Sequence, residues 1–310
     1  MNKNLKSNIF YIALILIFKE MAYMLLALST FNNNFFRQIL AYSLSIVPVF
    51  FLIILLNKKT INVNNIISQR CNKSFLMFSF TNLKFMLYSF GLLCISNVFI
   101  YLLKIIPIFN LAPPPIEITN ISIQNIFYFC LIPAILEETL YRGIIMSFLN
   151  KYNVIFSIFL SSFLFGITHS YSAQALSAFL GGIIYSYVFI KIGSLFPCII
   201  LHFLNNFFAM ISVYLYSKYL TNAIDACILI FQIIFAIVTI FIYFRSKPQN
   251  ILRQIKKSIP LKECIIITVS NICIDIYIIW RIGVIFNKIA KFKIITIYKK
   301  LSISLTDTSI

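Results

Sequence analysis

Apolar runs long enough to cross a bilayer constrain this chain more than any other feature. A crossing helix needs about 20 apolar residues, within roughly 17–25. Such runs recur near 8–29, 38–56, 85–103, 122–148, 153–170, 173–190, 194–216 and 224–244. Inside hydrocarbon every backbone amide needs an internal partner, so runs of this length form helices. The predicted fold class is all-α: a polytopic membrane helix bundle of about eight transmembrane helices. Composition agrees. Of 310 residues, 61% are hydrophobic and 11% charged, and the mean hydropathy is +0.94. A soluble domain carries about a quarter charged residues. No cleavable signal peptide is read, because 8–29 is long enough to remain as a first span.

The net charge of +18 does not point to nucleic acid. The basic residues sit between the apolar runs, where they orient helices. With a cytoplasmic N-terminus, fifteen fall inside: Lys3, Lys6, Lys58, Lys59, Arg70, Lys73, Lys84, Lys151, Lys191, Arg245, Lys247, Arg253, Lys256, Lys257 and Lys262. Three fall outside: Arg37, Lys104 and Lys218. The bias predicts a cytoplasmic N-terminus and a cytoplasmic end to the helical core. The seven cysteines form no CxxC and read as small hydrophobes in apolar runs. Abundant Ile, Asn and Lys fit an AT-rich, bacterial genome.

Three regions follow. Residues 1–110 hold the first three helices and a cytoplasmic loop, 57–84. Residues 111–245 hold the polar, chemistry-bearing spans and a stiff Pro113–Pro115 loop. Residues 246–310 form a basic, Ile/Lys-rich tail, where phenylalanine nearly vanishes. A ninth span at 264–280 would put Arg281, Lys288, Lys291, Lys293, Lys299 and Lys300 outside, against the charge rule. The tail is therefore predicted to be cytoplasmic or interfacial, near anionic lipid.

Ionisable residues in a bilayer cost about 2.5–3.5 kcal/mol each on insertion scales, so they face cavities and mark function. Glu137 and Glu138 lie in the fourth span, His169 ends the fifth, and His202 lies in the seventh, followed by Asn205 and Asn206. These are the only two histidines of the chain. Residues four apart share a helix face. Glu138 and Arg142 can pair on that spacing, leaving Glu137, rotated by about 100°, free to point elsewhere. His202 and Asn206 share a face in the same way, and Asn205 reads as packing. Pro133 removes one backbone bond a turn before Glu137, which predicts a kink or room for water. Gly143, Gly166, Gly181 and Gly182 predict close helix approach. Lys19 and Glu20 read as a neutralising pair in the first span.

The ordered trio EETLYR, FGITH and HFLNN fits EExxxR, FxxxH and HxxxN on three spans. Over about residues 120–215 the chain resembles the CAAX prenyl protease and bacteriocin-processing family of intramembrane endopeptidases, also called the CPBP or Abi family. The resemblance places the catalytic core on the fourth, fifth and seventh helices. It implies that Glu137 is a general base on water held with His169, that His202 and Asn206 stabilise the oxyanion, and that Glu138 and Arg142 support them. Donors aimed at a developing oxyanion act most strongly in a low-dielectric site. The implied partners are membrane lipids and a membrane-proximal peptide or protein, and the family includes bacteriocin-processing and immunity members.

Two other readings fit the polar residues. Carboxylate and histidine chains also build transporters and proton relays, and a catalytically silent immunity or scaffold protein would keep the motifs. Other membrane proteases fit poorly, since HExxH and a GxSG-like serine site are absent. No cofactor is expected, although Glu137, His169 and His202 would make an open zinc site. Depth raises one difficulty. At 1.5 Å per residue, His202 lies about 12 Å deep, Glu137 about 16 Å and His169 about 24 Å. A flat bundle would separate them, so the turn at 169–174 is predicted to dip into the protein.

Overall fold

A computed structural model describes residues 2–27, 80–106, 111, 118, 120–219, 222–246 and 259–306. Among the described residues every regular element is a helix. The predicted second span at 38–56, nearly all of the 57–84 loop and Pro113–Pro115 lie outside them. The elements are α1 (Lys3–Ala27), α2 (Phe80–Ile105), α3 (residues 123–150), α4 (Val154–Ile167), α5 (Ser172–Ile192), α6 (Phe196–Tyr219), α7 (Asn222–Ser246), α8 (Leu261–Val269) and α9 (Ile272–Thr306). Among the described residues, α1, α2, α5 and α6 are each long and apolar enough to cross a bilayer, and α8 with α9, bent by 79°, has the form of a broken span or a re-entrant loop.

α3 is continuous but not uniformly wound. It runs as α-helix over Ile123–Ile126, π-helix over Phe127–Leu131, α-helix over Ile132–Glu138, π-helix over Thr139–Ile145 and α-helix over Met146–Asn150. Pro133 accounts for the first wide stretch. It has no amide hydrogen to give the preceding turn, and just before it the Ile132 N–H reaches back five residues to Phe127 O. The expected disturbance at Pro133 is thus a widened turn. A second widening follows the two glutamates, where the Met146 N–H bonds Tyr141 O. Ser161 Oγ of α4 donates to the same carbonyl at 2.9 Å, so the wide turn is tied to its neighbour. Glu137 and Glu138 end a short α-segment between two π stretches, a distortion frequent at functional sites.

α5 is the hub of the bundle and packs against α2, α4, α6 and α9. Lipid tails are as apolar as the side chains, so packing here rests on close fit and hydrogen bonds rather than on the hydrophobic effect. Gly166 shows how close the fit is. A Cβ there would lie 2.9 Å from the Ala175 carbonyl oxygen and 2.9 Å from Phe179 Cβ. Only glycine lets α4 and α5 approach this far. α4 itself has 14 residues, about 21 Å of helix, short of a hydrocarbon core of about 30 Å. On that length α4 alone does not span a bilayer, and the turn after it is bonded to buried Arg281 of α9.

α1 buries Leu5, Ile9, Ile12, Ala13 and Leu16, and the same stripe continues through Lys19 and Glu20. Phe10, Leu14, Phe18 and Met21 stay exposed. The C-terminal helices meet this stripe. The sequence reading set 246–310 apart as a tail, but α8 and α9 pack on α1 and α4 and bury Cys264, Ile267, Ile274 and Tyr277 completely. The join is specific: Ile259 N–H bonds Tyr152 O at 3.1 Å, and Asn153 Nδ2 donates to Ile259 O at 3.0 Å. Asn271 Nδ2 donates to Lys6 O at 3.2 Å. A charge count cannot see this, because it registers the basic face of the segment and not its apolar one.

Candidate active site

Glu138 is the anchor. It and Arg142 are wholly buried, and Arg142 Nη1 donates to Glu138 Oε1 at 2.9 Å, on the i,i+4 spacing that the sequence suggested. The same oxygen takes His202 Nδ1 of α6 at 2.8 Å. A carboxylate paired to arginine only accepts, so His202 Nδ1 carries a proton. The other ring nitrogen, Nε2, lies 3.6 Å from Glu137 Oε2. His202 thus stands between the two glutamates. Their exposure differs: the Glu137 side chain keeps 14% and the Glu138 side chain 0%. Glu137 is the carboxylate that an entering molecule can meet.

Two aromatic rings complete the setting. Tyr185 of α5 stacks on His202, with centroids 5.2 Å apart and planes 15° apart. Phe165 of α4 meets His202 at 5.7 Å and His169 at 5.2 Å, edge-on to both. Phe165 is thus a neighbour that the two histidines share. The Arg142 guanidinium lies over both rings, 4.7 Å from Phe165 and 5.4 Å from Tyr185, as cation–π contacts. Its Nη2 also faces Gly182, where a Cβ would come within 2.9 Å.

His169 follows the end of α4, half-buried. Its Nδ1 sits 3.0 Å from Phe165 O, a carbonyl that only accepts, so Nδ1 donates and Nε2 is the free acceptor of the neutral ring. Asn206 lies one turn beyond His202 on α6, also half-buried. Asn205 takes a hydrogen bond from Asn97 Nδ2 of α2 at 3.4 Å, in keeping with packing. Among the described residues no group of three or more His, Cys, Asp or Glu side chains is placed to hold a metal ion.

Residues 119–208 match the family model described as Type II CAAX prenyl endopeptidase Rce1-like. Over these residues the chain is similar to type II CAAX prenyl endopeptidases. Protease activity in a membrane is what the family implies, and the apolar helices make the chain a multi-pass membrane protein. The family segment contains Glu137, Glu138, Arg142, His169, His202 and Asn206, together with Phe165 and Tyr185. No curated protein and no solved structure matches the chain. Sequence reasoning passed over Phe165 and Tyr185. Among 33 Phe and 17 Tyr, nothing but the first position of FxxxH marked either one.

A second charged group lies beside this site and outside the family segment. Lys19 Nζ and Glu20 Oε1 of α1 are 3.0 Å apart, and Arg281 Nη1 of α9 meets Glu20 Oε2 at 3.0 Å. All three are buried. The Lys19–Glu20 pairing suggested by the sequence is present, and Arg281 is its unsignalled third member.

Proposed function

We propose that the chain is an intramembrane endopeptidase in which Glu137 is the general base. The single observation that carries the reading is the position of His202, held on buried Glu138 and facing the more accessible Glu137. Water sits between Glu137 and the free Nε2 of His169. Its oxygen attacks the scissile carbonyl carbon while Glu137 takes a proton. The developing oxyanion receives donors from His202 Nε2 and the Asn206 amide. Nδ1–H is already given to Glu138, so the Nε2 donor is a second ring proton. Collapse breaks the C–N bond, and the departing amine takes the proton from Glu137.

The helices supply the rest. Glu138 and Arg142 hold His202 in its orientation, and Phe165 contacts both imidazoles. The substrate is a membrane-associated peptide or protein whose backbone reaches the half-buried side of the site. We further propose an eight-span topology with the N-terminus and the end of the core cytoplasmic, on the positive-inside count, and catalysis by the side chains without a metal.

The test is Glu137→Gln in purified full-length protein reconstituted with a membrane-anchored peptide library. Cleavage by wild type and its loss in the variant, at unchanged folding, supports the reading. Wild-type cleavage by the variant overturns it.

A further inference from the structure

The turn that carries His169 is a backbone problem before it is a catalytic one. α4 ends at Ile167, and the last carbonyls of a helix have no partners of their own. In hydrocarbon such groups must be satisfied by protein. The accounting closes here. Phe165 O accepts from Thr168 Oγ1 at 2.7 Å and from His169 Nδ1 at 3.0 Å. Gly166 O accepts from the His169 N–H at 3.1 Å. Ile167 O accepts from Arg281 Nε at 2.9 Å, and Thr168 O accepts from Arg281 Nη2. Two of the four carbonyls leading into His169 are thus held by one guanidinium from α9.

That guanidinium is itself fixed. Its remaining nitrogen, Nη1, is bound to Glu20, and Glu20 to Lys19. The planar fork of arginine suits this load, since it can serve two carbonyls and a carboxylate at once in a rigid geometry. Lysine has a single nitrogen and cannot span all three. Moving Arg281 would release the peptide planes at 167 and 168, and the His169 ring hangs on the next residue.

We propose that Arg281, held in place by Glu20 and Lys19, is a positioning residue for His169, so that the first and last described helices form part of the active-site framework. The inference rests on the endopeptidase reading for its kinetic consequence, and on the structure alone for its spectroscopic one. The chain has only two histidines, so a protein labelled with 15N-histidine reports on His169 and His202 alone, assigned with His169→Asn. In Arg281→Met the His169 ring signal shifts and that of His202 stays. In the cleavage assay kcat falls about 100-fold with KM nearly unchanged, the effect of misplacing a catalytic group by about 1 Å. Arg281→Lys keeps the charge, serves as the folded control should the methionine variant not fold, and also shifts His169. Glu20→Gln shifts it less. An unmoved His169 signal in the arginine variants overturns the proposal, and so does a shifted signal with wild-type kcat. If wild type cleaves nothing while the His169 signal shifts, the endopeptidase reading fails and the structural tie stands.

Discussion

The bundle contains two buried charge clusters built by opposite means. Glu137, Glu138 and Arg142 follow one another along α3, and His202 of α6 joins them. Lys19, Glu20 and Arg281 come from helices at the two ends of the described chain, with Glu20 and Arg281 separated by 261 residues. The chemistry is the same, an arginine on a carboxylate with a second ionisable group beside it. The first cluster is shaped by the pitch of one helix, with His202 brought to it by α6. The second exists only when α1, α4 and α9 have all packed. Local geometry makes the first a motif, whereas the second belongs to the whole fold.

The sharpest way to separate the clusters is activity. Glu137→Gln removes the base and is expected to lower kcat by about 10²- to 10⁴-fold, read in the peptide assay with unfolding in detergent unchanged. Glu20→Gln lies outside the reacting groups and is expected to cost far less. Equal losses from the two would erase the distinction.

Stability follows. Arg142→Met leaves Glu138 buried without its ion pair, and breaking such a pair costs about 3–5 kcal/mol. Denaturant titration in mixed micelles measures it. The double replacement Glu138→Gln with Arg142→Met is expected to recover part of the loss, because it leaves no uncompensated charge.

Packing around the first cluster gives a smaller effect. A Cβ at Gly182 would lie 2.9 Å from Arg142 Nη2 and 3.0 Å from Ser162 Cβ. Gly182→Ala is expected to destabilise by about 1–3 kcal/mol, as overpacking does. The same substitution at Gly193, where no heavy atom lies within 4 Å, tests backbone conformation instead, since its φ is +75°. The smallest expected effect is that of chelation. Dialysis against a zinc chelator leaves cleavage unchanged if the side chains act alone, and activity that disappears and returns with zinc would instead bind both histidines to a metal.

What was legible in the sequence tracks the same division. Glu138 and Arg142 were readable as a pair because four residues make one helical turn. His202 was readable as a participant because histidines are rare here, though its bond to Glu138 rather than to Glu137 alone was not. The π stretches were not readable, since no residue pattern announces an extra residue per turn. The contact that links His169 to His202, through the Phe165 ring, was not readable, because helix lengths give depth and not lateral packing. Arg281 was invisible for a physical reason. A basic residue near an apolar run looks the same whether it meets lipid phosphate or a helix end, and only the packed fold decides.

The 261-residue separation of Glu20 and Arg281 also orders events in time. A nascent chain that has completed α3 to α6 already holds both glutamates and both histidines of the site. Under the proposed role for Arg281, it still lacks the clasp on the His169 turn until α9 has emerged and docked. On that reading the nascent protein works at a small fraction of its final rate during its own insertion, when unfolded membrane segments lie closest to it, and reaches full rate once the C-terminal helix is in place.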